Sequence, residues 1–266
     1  MSATLIPLLV VCTYLAIAAR YWRGQANVAP ASWIKIALPL ALAVHGGLLY
    51  QSLFGTGGLN LGLTNAVSTI FWLTALIYWV MSLRHDLHSL QAFALPPAAL
   101  GVLVQSIWPE NHVLPYADQP LFMLHLGIAF AAYSLFTFAA LHAVLMAVAE
   151  RSLHRKQSWI NLPGFPPLIS MEKLLFQIIT LGFTLLTFTL VSGIAFTEQL
   201  FHTALQFNHK TIFTIVSWLI FAGLLAGRHF YGWRGRTAVR WTLSGFAVLL
   251  LAYVGSKFVL EILLHR

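Results

Sequence analysis

Charge is what this sequence has least of. Only 8% of its 266 residues are Asp, Glu, Lys or Arg, against 59% apolar residues and a mean hydropathy of +0.80. Soluble domains carry roughly 25% charged residues, so a soluble globular fold and a disordered chain are both excluded. Cysteine is nearly absent too. Cys12 stands alone, which rules out a disulfide framework, a zinc-finger array and a CxxC redox pair within this chain; in its apolar run it reads as an inert buried thiol. Catalytic signatures are missing: no GxSxG, Walker loop, HExxH or GxGxxG occurs. Gly55, Gly57, Gly58 and Gly62 read as a flexible loop rather than a phosphate cradle. Intramembrane carboxylates are equally scarce, with Glu198 and Glu261 close to predicted helix ends, so a proton pump built on buried acids has little support.

What is present is apolar length. A membrane-spanning helix needs about 20 mostly apolar residues, and eight stretches qualify or nearly so: roughly 4–19, 34–53, 65–83, 90–107, 121–148, 174–196, 211–227 and 241–263. The expectation is an all-α polytopic membrane protein, a single domain over 1–266 built as a bundle of eight transmembrane helices. The fifth stretch is long enough to tilt or project beyond the bilayer. Pro96 and Pro97 should kink the fourth or divide it from a short interfacial piece. The connection 149–173, with Pro163, Gly164, Pro166 and Pro167, reads as an ordered turn rather than helix. The first stretch ends in a run resembling a signal-peptide cleavage site, but Arg20 and Arg23 follow it and no basic residue precedes it. It therefore reads as a retained span.

The net charge of +8 marks topology rather than an acidic partner such as nucleic acid. Arg20, Arg23, Lys35, Arg84, Arg151, Arg155, Lys156, Lys173, Arg228, Arg234, Arg236 and Arg240 all fall in odd-numbered connections. Only Lys210, Lys257 and Arg266 fall elsewhere. Positive-inside logic then places the odd connections in the cytoplasm and both termini on the outer, periplasmic side of a bacterial inner membrane.

The chemical signal is eleven histidines in so apolar a chain. His85, His88, His154 and His229 belong to the basic connections. His142 lies within the fifth stretch, and His45, His112, His125, His202, His209 and His265 lie at or towards the outer side. His85 and His88 look like a metal pair at i, i+3, but they sit beside Arg84 with no second pair nearby, so a solvated loop is the better reading. His45 and His125 fall at comparable depth in two different helices. Neutral imidazole is a common axial ligand of haem iron, so these two would serve as a ligand pair. The plainer reading is that each bonds a carbonyl or hydroxyl of a neighbouring helix, and spacing leaves both open. Trp22, Trp33, Trp108, Trp159, Trp233 and Trp241 sit near helix ends as interfacial residues do. Trp72, Trp79 and Trp218 lie within spans, where packing outweighs a ligand pocket.

Several ordered motifs together carry a resemblance. The run His125-Leu-Gly-Ile-Ala-Phe-Ala-Ala-Tyr-Ser134 is followed by Pro166-Pro-Leu-Ile-Ser-Met-Glu-Lys-Leu-Leu175. Trp218-Leu-Ile-Phe221, Gly232-Trp-Arg-Gly-Arg236, Gly245-Phe246 and Tyr253-Val-Gly-Ser-Lys-Phe258 complete the series. This pattern resembles the cytochrome c assembly superfamily of CcsA, ResC and HemX-like proteins, and most of all its shorter YpjD/HemX-like inner-membrane branch. The resemblance covers most of 121–266, and 1–120 in layout. It implies an eight-span haem-handling protein accessory to c-type cytochrome biogenesis, with haem b as cofactor. His45 and His125 would be the iron ligands, His209 and His265 alternates, and Lys210 a partner for a haem propionate. The longer relatives carry a Trp-rich signature before the seventh helix; here Glu198 to Lys210 contains no Trp. That departure favours a binding role over an enzymatic one. It also keeps a second reading open, a cofactor-free membrane subunit or assembly factor that stabilises a larger complex such as a respiratory one. A small-molecule transporter would need broken helices and midplane polar clusters, for which only Pro96-Pro97 speaks.

Overall fold

The computed structural model describes residues 2–22, 32–55, 57–84, 90–109, 112–114, 118–154, 167–201 and 209–255. Among them the chain is all-helical: α1 Ser2–Trp22, α2 Ser32–Phe54, α3 Leu63–Ser82, α4 Gln91–Ile107, α5 Pro120–His154, α6 Leu168–Phe201, α7 His209–Tyr231 and α8 Arg236–Leu250. The last runs into a five-residue π-helical segment, Leu251–Gly255. Each helix coincides with one of the eight apolar stretches. Five are long and apolar enough to cross a bilayer: Trp33–Phe54, Leu63–Ser82, Pro120–Arg151, Leu168–Ala195 and Lys210–Tyr231. Thr4–Arg20 and Gln91–Ile107 are apolar but shorter.

The departures from expectation lie at the ends and at the prolines. The α4 helix is undivided, with Pro96 and Pro97 inside it. Away from water, a proline within a helix is tolerated where neighbours re-satisfy the freed carbonyls, and Ala92 and Phe93, four residues upstream of the two prolines, both take part in further interactions. Helix extends into the 149–173 connection from both sides, to His154 and from Leu168; its centre lies outside the described residues. At 34 residues, α6 is about 50 Å long at 1.5 Å per residue, as outsized as the 35-residue α5. The α8 helix begins five residues earlier than the apolar run, at the turn where Gly232 and Gly235 take φ of 65° and 56°.

The chain forms two compact units. One comprises Met1–Leu114 and Val144–Met171, the other Pro115–Ala143 and Glu172–Arg266. In the first, α1 packs on α2 and α4, and α3 packs on α2 and α4, closing a four-helix ring. Its interior holds Tyr14, Ile17, Tyr78, Leu90, Leu95 and Ala98, all fully buried. Alanines along α4 allow close approach, and at Gly101 the α3 backbone is so near that an added Cβ would stand 3.1 Å from Ser68 Cα. The ring is capped by the connections at one end. The backbone N–H of Leu61 donates to His112 O (2.9 Å) and that of Leu114 to Leu59 O (2.8 Å), around an isolated antiparallel bridge between Asn60 and Val113. Asn60 Oδ1 accepts from the His112 N–H at 2.7 Å, and Asn65 Nδ2 donates to Asn60 O at 3.0 Å. The glycine-rich loop read as flexible is therefore pinned at its distal end, because the buried Asn60 side chain needs a partner and His112 supplies it, while Asn65 holds the Asn60 carbonyl.

In the second unit, α7 and α8 pack on each other and on the π segment. Phe136 of α5 stacks on Phe221 of α7 with ring centroids 3.9 Å apart. Trp218 Nε1 donates to Thr187 Oγ1 at 2.9 Å, joining α7 to α6, and Ser217 donates to Gly245 O at 2.9 Å, joining α7 to α8. In the first unit Trp72 Nε1 donates to Leu42 O at 2.8 Å. Trp72 and Trp218 thus tie helices together, as packing residues should.

Candidate functional site

His45 is fully buried in the middle of the four-helix ring. Its Nδ1 lies 3.3 Å from Tyr14 Oη on α1 and its Nε2 lies 3.1 Å from Ser68 Oγ on α3. Ser68 in turn donates to Gln105 Oε1 on α4 at 2.9 Å. A serine hydroxyl has one proton. With that proton committed to Gln105, Ser68 Oγ accepts from His45 Nε2–H, which leaves Nδ1 to accept from the Tyr14 hydroxyl. Donors and acceptors match at every step, and the relay Tyr14–His45–Ser68–Gln105 visits all four helices. Both ring nitrogens of His45 are spent on protein groups in this arrangement, so iron ligation would require giving one up.

His125 is in a different situation. It lies in the second turn of α5, half-buried, with Nδ1 2.7 Å from Ser192 Oγ on α6. Ser192 donates to Phe188 O at 2.6 Å. The same proton count makes Ser192 the acceptor and fixes His125 as the Nδ1–H tautomer, so Nε2 carries the basic lone pair. That is the form in which histidine binds metals, with the other ring nitrogen donating to an oriented partner. Gly193 lies beside the ring: an added Cβ there would stand 3.5 Å from His125 Cε1.

His45 belongs to the first unit and His125 to the second. Of the other candidates, Lys210 is exposed in the first turn of α7, where it takes part in further interactions. His209 is the first residue of α7, with a side chain outside the described set. His265, His85 and His88 lie outside the described residues, and so does the side chain of Glu198. His142 is buried and stacks against Phe138, with ring centroids 6.4 Å apart.

Sequence reasoning missed a polar cluster at the opposite end of the second unit from His125. Arg228 Nη1 donates to Glu172 Oε1 at 2.6 Å and to Trp233 O at 3.2 Å. The Gly235 N–H donates to Glu172 Oε2 at 3.2 Å, and the Arg228 guanidinium lies 4.6 Å over the Phe176 ring. Glu172 thereby clamps the α7–α8 turn onto the start of α6. The signal was present as an acid among basic residues on both sides of the pairing, at Glu172-Lys173 and Arg228, but 56 residues separate the partners, and no local pattern links them.

Comparison with known proteins matches residues 33–264 to the cytochrome C assembly protein family. The chain is 28% identical over 236 residues to inner membrane protein YpjD of Escherichia coli K12, covering 87% of this chain and 89% of that protein. It is 24% identical over 227 residues to cytochrome c biogenesis protein CcsA of Guillardia theta, covering 80% of this chain and 69% of the relative.

Proposed function

The chain belongs to the cytochrome C assembly protein family, and on that premise we propose that it is a multi-pass inner-membrane protein of c-type cytochrome biogenesis that holds haem at its outer face. The role in cytochrome biogenesis and the inner-membrane location follow from the family and from the likeness to YpjD and CcsA. The finer reading rests on one observation: the Ser192 relay prepares His125 Nε2 as a ligand nitrogen. His125, near the outer end of α5, would then be the residue that holds the iron of haem b. Lys210, exposed at the start of α7, would pair with a propionate as a charge-assisted donor; His209 and His265 are the alternates. His45 would join as second ligand only by exchanging Ser68 or Tyr14 for iron. The protein's contribution would be binding and orientation, with the chemistry left to the haem. Eight spans with both termini outside, in a single membrane domain, complete the proposal.

A reduced-minus-oxidised spectrum of the purified protein tests it. Haem is expected in the native chain, reduced in Ser192→Ala and lost in His125→Ala. Unchanged haem occupancy in a His45→Ala, His125→Ala double variant would overturn the assignment. The saturated hydrogen bonding of His45 favours a second reading, a cofactor-free subunit that stabilises a larger membrane complex. Co-purification of a stoichiometric partner without Soret absorbance would select it.

A further inference from the structure

The Glu172 clamp shapes a feature that haem handling does not use. An open groove of about 520 Å³ runs along α6 beside it. Lys173 and Arg228 stand at one end, and Gln177, Thr180, Leu181 and Thr184 continue along the same helix face. The spacing 173, 177, 180/181, 184 is one stripe of an α-helix. These α6 side chains are exposed, while Phe176 at the base is buried.

The polarity of the groove changes along its length. At its head the groove is lined by two basic side chains, Lys173 and Arg228, and Arg228 holds one acidic one, Glu172. That acid is committed to Arg228 and to the Gly235 N–H. Further along, the two hydroxyls are turned inward: Thr180 Oγ1 donates to Phe176 O at 2.8 Å and Thr184 Oγ1 to Thr180 O at 2.9 Å. With their polar valences met by their own helix, both threonines offer mainly methyl surface, next to Leu181. From Lys173 to Thr184 is eleven residues, about 16 Å of helix. One leaflet's share of a hydrocarbon core about 30 Å thick is about 15 Å.

A cationic head, a neutral polar step at Gln177 and an apolar run one leaflet long match a molecule with an anionic head and an acyl tail. We propose that this groove is a binding site for an anionic phospholipid of the cytoplasmic leaflet, with its phosphate against Lys173 and Arg228 and one acyl chain along Thr180, Leu181 and Thr184. Basic recesses on the cytoplasmic face of membrane helices suit such headgroups. The choice of leaflet rests on the proposed orientation; the occupant's chemistry does not. Bound lipid would cover the ion pair and hold the α7–α8 turn in place.

Native mass spectrometry of the full chain, purified in mild detergent and titrated with phosphatidylglycerol or phosphatidylcholine, tests this. The native protein should retain phosphatidylglycerol in preference. Lys173→Gln should weaken retention about fivefold, the equivalent of about 1 kcal/mol per basic residue near a lipid surface. Thr180→Trp, which fills the groove from an exposed position, should abolish it. The Soret absorbance read in parallel should not change in either variant. Equal retention in both variants and the native protein would overturn the proposal. So would displacement by inorganic phosphate alone, which would assign the head to a free anion. Loss of Soret absorbance in the groove variants with lipid retention intact would give the groove to haem instead.

Discussion

At the scale of single residues, two histidines of similar sequence context have opposite chemistry, and proton counting separates them. His45 donates and accepts within a chain of matched groups. His125 donates from Nδ1 to a serine already committed elsewhere, which makes Nε2 the basic nitrogen of its ring. His45→Ala should therefore act on stability. It opens a cavity and breaks two interhelical bonds, so the thermal unfolding of the detergent-solubilised protein should reveal a loss of about 2–4 kcal/mol. Tyr14→Phe removes one hydroxyl donor and should cost about 0.6 kcal/mol, the usual yield of a hydrogen bond between membrane helices. An equal loss in both variants would contradict the relay. The sequence singled out His45 and His125 because ionisable residues are rare in apolar runs. It did not reveal their difference, because Ser68 and Ser192, which set the tautomers, are ordinary helix residues that no pattern marks.

At the scale of elements, hydropathy located all eight helices, and misjudged where they stop. Apolarity reports the stretch in the hydrocarbon, whereas helix termini are decided by capping and by interactions outside it. The α6 and α8 helices start before their apolar runs because the Glu172 clamp and the positive-φ glycines of the α7–α8 turn organise polar sequence there. The same turn depends on a small residue at Gly227, where an added Cβ would stand 2.4 Å or less from the body of the Trp233 ring. Gly227→Ala should displace that indole and destabilise the turn by about 1–3 kcal/mol. Limited proteolysis between Tyr231 and Arg236 should then quicken, against slow cleavage of the native chain. Glu172→Gln should have a smaller effect, about 1 kcal/mol, since Arg228 is about one-third exposed and solvent screens the pair.

At the scale of the whole molecule, the charge distribution gives the clearest prediction. Asp118 and Arg234 are both exposed and belong to connections of opposite parity. In a Cys12→Ser background, Asp118→Cys should react with a membrane-impermeant maleimide applied to spheroplasts. Arg234→Cys should react only after permeabilisation. Labelling of both from one side would invalidate the orientation and, with it, the leaflet assigned to the groove. The overall class was legible because so little charge leaves only the bilayer as solvent. The division into two compact units was not, since the composition does not change from one to the other.

The relay at the centre of the first unit also has a direction. As it stands, every proton points the same way, from the phenol on α1 towards the amide carbonyl on α4. Rotating the Gln105 amide would present a donor to Ser68. Ser68 would then turn its hydroxyl towards His45, whose proton would have to move to Nδ1 and face Tyr14. No mixed arrangement leaves every group matched. Four helices therefore share a polar chain with two self-consistent settings, and a substitution at Gln105 selects between them. Gln105→Glu in its ionised form, able only to accept, would lock the present one.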